Sequence, residues 1–134
     1  LAKPSSAGPY ALGAGITVNV DPSDFKVPFG TDDEAWGAVK VPNEAHLPTQ
    51  ITDESIVAMY YMAPFDGHPE SGDKMAFSIE NNFGGIEGET YKVYGGNYDE
   101  ARWEDLGGIV MTDGKLSGTG LSQLSTIVVT LQGD

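Results

Sequence analysis

The stretch from Tyr91 to Leu131 constrains the fold more than any other part of the chain. Tyr91-Lys-Val-Tyr94 and Ser125-Thr-Ile-Val-Val-Thr-Leu131 are rich in β-branched and aromatic residues, the composition of strands. Between them lie the Trp-bearing run Arg102-Trp-Glu-Asp-Leu-Gly107 and then Ile109-Val-Met-Thr-Asp-Gly-Lys-Leu-Ser117. Asp113-Gly114, with apolar residues on both sides, signals a two-residue hairpin, because both central positions of that turn need positive φ. Strand, hairpin and strand in close succession point to an all-β domain.

The rest of the chain repeats the pattern. Ile16-Thr-Val-Asn-Val20 alternates apolar and polar residues, the period of a half-buried strand. Phe25-Lys-Val-Pro-Phe29 alternates too, and Pro28 assigns it to a sheet edge or a strand end. Ala35 to Val41 resumes strand character. Ser55-Ile-Val-Ala-Met-Tyr-Tyr-Met62 is almost continuously apolar and reads as a central strand buried on both faces. Lys74 to Ile79 and Thr90 to Tyr94 follow, each bounded by glycine-rich or acidic turns. About eight strands at short intervals predict an antiparallel β-sandwich over residues 16–134. Residues 1–15, with Lys3 their one charged side chain, read as an extended N-terminal arm.

With 134 residues the chain can bury a core without staples, and it has no cysteine to make any. Thiolate metal sites and cysteine nucleophiles are excluded with them. Seven basic residues face twenty acidic ones, a formal net charge of −13. Phosphate backbones and anionic membrane surfaces need a cationic face, so neither is an expected partner. No apolar run approaches the ~18 residues of a membrane span. Leu1 in place of Met fits removal of an export signal, and an extracellular or cell-surface location is expected.

From Ile56 onward the order of features resembles ZU5-like β-sandwich modules, which are Ig-like in architecture. The likeness lies in Tyr60-Tyr-Met-Ala-Pro64, in Phe77 to Asn82 with Gly88 to Tyr94, and in Trp103-Glu-Asp-Leu-Gly107, Asp113-Gly114 and Leu124 to Val129. Such modules occur in large secreted and surface proteins of bacteria and archaea. The resemblance implies a sandwich used for adhesion, display, spacing or assembly, and it brings no catalytic residues.

Three constellations could carry function. Asp32/Asp33/Glu34 and Asp66/Glu70/Asp73 are loop carboxylates of the kind that hold calcium, a hard cation that takes oxygen ligands, although neither has EF-hand spacing. Trp36, Tyr94 and Tyr98 are aromatics that could stack on a carbohydrate. Trp103 is expected in the core, and Tyr91 and Tyr94, of opposite strand parity, on opposite faces. The third is the uncharged run Pro9-Tyr-Ala-Leu-Gly-Ala-Gly-Ile16, in which Pro9, Tyr10, Ala11, Leu12 and Ile16 could add as a strand to another copy.

No Walker, Rossmann or nucleophile-elbow pattern occurs, and adjacent carboxylates such as Glu104/Asp105 point to opposite faces of a strand. No enzymatic activity is expected. The expected function is therefore structural: an extracellular module that builds a fibre or surface layer with copies of itself by pairing of the arm, with calcium as the cofactor its acidic loops would take. A carbohydrate-binding or adhesive module that uses its exposed aromatics is the alternative.

Overall fold

The structure is a computed structural model that describes residues 4–27, 36–41, 55–64, 67–97 and 102–131. Among these, all regular structure is β apart from one 3-10 turn, Pro22–Asp24. Eleven strands form: β1 (Gly8–Gly13), β2 (Ile16–Val20), β3 (Phe25–Lys26), β4 (Gly37–Val41), β5 (Ser55–Ala63), β6 (His68–Pro69), β7 (Met75–Glu80), β8 (Thr90–Asn97), β9 (Arg102–Val110), β10 (Lys115–Leu121) and β11 (Thr126–Leu131). The count exceeds the expected eight or so because Gly8–Gly13 and His68–Pro69 are strands as well, paired with β2 and β3.

Two antiparallel sheets face each other. One has the order β1-β2-β7-β10 and the other β4-β5-β11-β8-β9. Period-two alternation sends Ile16, Val18 and Val20 of β2, and Met75, Phe77 and Ile79 of β7, into a shared core. They meet Ala58, Tyr60 and Met62 of β5, Val93 of β8 and Ile127 and Val129 of β11. Burial of these side chains is the main term favouring the folded state.

The expected hairpin is present. Asp113 and Gly114 have φ of 53° and 73°, and Thr112 and Lys115 exchange two backbone hydrogen bonds of 3.0 and 3.1 Å. The Glu87 carboxylate accepts from the Asp113 and Gly114 amides at 2.6 and 3.0 Å. This turn carries the chain from β9 in the five-stranded sheet to β10 in the four-stranded one.

The five-stranded sheet also has an apolar outer face. Met59 and Val128 are buried there beneath Val41, Ile56, Tyr94 and Trp103. Ser55 to Met62 is thus apolar on both faces, as its run of apolar residues requires. Tyr91 and Tyr94 do lie on opposite faces, but Trp103 packs on this outer layer and not in the core. Its cross-strand partner is Gly96, which shares the outward parity of Tyr94.

A part-buried hydrogen bond ties the two sheets at the rim of the core. The fully buried Tyr60 donates its hydroxyl to Asn82 Oδ1 at 2.5 Å, and burial pushes the phenol up to about 12 against the effect of that bond. Asn82 Nδ2 in turn donates to the Ala14 carbonyl at 2.7 Å, and Lys40 Nζ donates to the Asn82 carbonyl at 2.6 Å. The β1–β2 turn, β4 and β5 therefore converge on one residue, the first and last through its side chain and β4 through its backbone carbonyl. Tyr60→Phe leaves Asn82 Oδ1 without its donor and should cost about 1–2 kcal/mol, read as a lower urea midpoint at unchanged slope.

Candidate functional site

The uncharged N-terminal run is organised by its turn. Gly13, Ala14 and Gly15 all have positive φ, at 111°, 53° and 81°, which folds β1 back antiparallel on β2. Glycine is required at position 15. A β-carbon there would lie 2.9 Å from Asn82 Nδ2 and 3.0 Å from Glu80 Cβ. The turn is held from outside as well: the Gly15 carbonyl accepts from the Glu80 amide at 2.9 Å, beside the Asn82–Ala14 bond.

The extended arm is paired within its own chain, as β1 on β2. It lies there because Leu12 and Ile16 are apolar residues that the core takes in at almost no exposure. Tyr10 is half-buried and meets the Trp36 ring edge-on at 5.9 Å, while Pro9 and Ala11 face outward. Gly13 and Gly37 mark where β1 runs beside β4. Added β-carbons would come within 3.6 Å of the Ala38 carbonyl oxygen and 3.7 Å of the Leu12 carbonyl oxygen.

β1 is one of the four strands that end the two large sheets. The others carry charges that discourage strand addition: Lys40 on β4, Arg102, Glu104 and Asp105 on β9, and Lys115 on β10. β9 is also bulged, with a register shift between Lys92 and Tyr94 opposite it and Gly107 at φ 103°. β1, Gly-Pro-Tyr-Ala-Leu-Gly, carries no charge. Its first residues line a cleft of about 430 Å³ with Asn19, Asp21, Asp24, Asp73 and Lys74. Within that cleft Asp24 accepts from the Ser71 amide and hydroxyl at 3.0 and 2.6 Å.

The other expected site residues are dispersed. Trp36 was expected to be exposed, but it is 2% accessible, with the Phe25 ring tilted against it at 4.9 Å and Tyr10 edge-on. Two aromatic neighbours from β1 and β3 cover it, a tertiary effect that an acidic flanking loop does not announce. Asp32, Asp33, Glu34, Asp66 and Tyr98 lie outside the described residues. Glu70 and Asp73 are exposed, and among the described residues no three carboxylate or imidazole groups converge as a metal site would need. No described helix is long and apolar enough to cross a membrane.

Glu104 is a carboxylate that sequence parity left unassigned. Its side chain, 13% accessible, points inward from β9 and accepts from Ser122, from Asn97 Nδ2 at 3.2 Å and from Arg102 at 3.3 Å. Burial works to raise its pKa, but the Ser122 and Asn97 bonds and the charges of Lys74 and Arg102 outweigh it, so the group sits below the usual glutamate range. Its neighbour Asp105 points outward and pairs with Lys92 at 3.1 Å. The contacts of Glu104 fasten the end of β8, the start of β9 and the β10–β11 link to one another.

No family model, curated protein or solved structure matches this chain.

Two outcomes follow from these placements. Trp36→Ala should lower stability by about 3–5 kcal/mol, the usual cost of emptying a large aromatic site, with a matching fall in melting temperature. A group whose folded-state pKa is depressed stabilises the protein above its unfolded value and loses that contribution as pH falls through the folded one. The parent protein should therefore lose stability on the acid side of the usual glutamate range. Glu104→Gln should show a flatter pH profile there in urea titrations.

Proposed function

We propose that this chain is a non-enzymatic structural module of an extracellular or cell-surface assembly, joined to copies of itself along β1. The observation that carries this reading is that β1 is the one uncharged strand among the four that end the two large sheets. An edge strand presents a row of backbone donors and acceptors, and charged side chains are the usual guard against their pairing with another chain. The run Gly8 to Ala11 has no such guard. The high negative charge works in the same direction, because lateral repulsion favours a directional contact through a neutral edge over indiscriminate clumping. The resemblance to ZU5-like modules of surface proteins agrees with this role.

Pairing of β1 with β1 of a second copy closes as a twofold dimer, whereas pairing with β10 of the next copy extends without closing. Both mechanisms add hydrogen bonds at the open edge and leave the sandwich intact.

A charge placed on the outward face of β1 tests the reading. Ala11 is exposed and makes no core contact, so Ala11→Lys should preserve the melting temperature within a degree or two. It should also abolish concentration-dependent self-association measured by light scattering and negative-stain electron microscopy. Association of Ala11→Lys at the parental level would overturn the proposal.

The carbohydrate reading moves from Trp36 to the outer face, where Tyr94 and Trp103 pack on Met59 and Val128. Glycan binding that is lost in Trp103→Ala and kept in Ala11→Lys would favour it.

A further inference from the structure

We infer that β1 is an exchangeable strand: two copies of this chain trade it reciprocally, with Gly13-Ala14-Gly15 as the hinge. The inference rests on the reading that copies meet through β1, and it specifies a different event from addition at the open edge.

The turn supplies the driving force. Three successive residues lie at positive φ, and the middle one, Ala14 at 53°, has a β-carbon that the left-handed region disfavours. Hairpin turns of this kind ordinarily take Asn or Asp in that position, as Asp113 does in the second tight turn of this molecule. Opening the β1–β2 turn into an extended linker relieves Ala14. A short, strained hinge next to an edge strand is the arrangement from which strand exchange arises.

The strand itself fits the exchange. It is the first described strand of the chain and ends its sheet, so it leaves without disturbing another pairing. Its departure uncovers Val18, Trp36 and the space filled by Leu12 and Tyr10. Only an equivalent strand refills that space, and a second copy supplies one with identical contacts. The closed and exchanged forms thus differ at the hinge and in the loss of independent motion on association. Two hydrogen bonds hold the closed turn, Asn82 Nδ2 to the Ala14 carbonyl and the Glu80 amide to the Gly15 carbonyl. Exchange therefore requires β1 to detach first, and it proceeds on refolding at high concentration more readily than by simple mixing.

The pair Ala11 and Thr17, directly opposite across β1 and β2, reports where β1 resides. The chain has no cysteine, so Ala11→Cys with Thr17→Cys gives a single cross-strand disulfide. Protein refolded at millimolar concentration and then oxidised should yield covalent dimers on a non-reducing gel. The parent chain, treated alike without the cysteines, should give a dimer that persists through hundred-fold dilution in size-exclusion chromatography. Adding Ala14→Gly removes the strain from the closed turns of the two monomers, and with it the drive toward exchange. At about fivefold per hinge the dimer constant should fall about 25-fold. A wholly intramolecular disulfide together with a dimer that dissolves on dilution would overturn exchange and leave edge pairing standing. Monomers under every condition would overturn both. Undiminished dimer in Ala14→Gly would remove the hinge from the mechanism.

Discussion

A phenol hydroxyl buried between two sheets must find a partner, and most of this molecule is arranged around the partner it finds. Tyr60 sits on β5 in the core, and its hydroxyl reaches across to Asn82 in the turn after β7. An unpaired hydroxyl there would cost more than a well-made bond gains, so the relative placement of the sheets is set by this contact as well as by apolar packing. The remaining polar atoms of Asn82 then bind the Ala14 carbonyl and the Lys40 ammonium. The β1–β2 turn of one sheet and the adjacent strands β4 and β5 of the other are positioned together. The candidate assembly strand is therefore held by the core it helps to cover.

The second organising fact is the division of labour among edges. Interior strands β5 and β11 are apolar on both faces, with Ala58, Tyr60, Ile127 and Val129 inward and Met59 and Val128 outward. Charge is sparse on the interior strands, Glu80 of β7 and Lys92 of β8 being the charged residues there, and it guards three of the four edge strands. Glu104 is the inward exception. It is tolerated because Ser122, Asn97 and Arg102 satisfy its oxygens, and it fastens the end of β8 to the start of β9 and to the β10–β11 link.

Much of the frame was legible in the sequence because its determinants are local. Asp113-Gly114 requires positive φ wherever it occurs, and parity alone separates Tyr91 from Tyr94. The apolar run from Ser55 to Met62 has no polar face to give to solvent. What escaped notice was decided by contacts distant in sequence. Trp36 has an acidic approach and looks available, yet Tyr10 and Phe25 enclose it. Trp103 shares the outward parity of Tyr94 through a register that the bulged β9 sets. The β1–β2 hairpin went unread because Ala14 is not a residue that advertises a left-handed conformation. The two glycines around it were the available signal, and they read equally well as a flexible arm.

The chain passes back and forth between the two sheets, most tightly at the Asp113-Gly114 hairpin from β9 to β10, whereas β1 is tied to its sheet through β2 alone. Force applied through the two ends of the chain would meet very different resistance. Tension on the N-terminal side works against the single neighbour of β1, whereas tension on the C-terminal side works against both neighbours of β11, β5 and β8. In a load-bearing array such a module would yield first at its N-terminal strand and keep the remainder of its sheets closed.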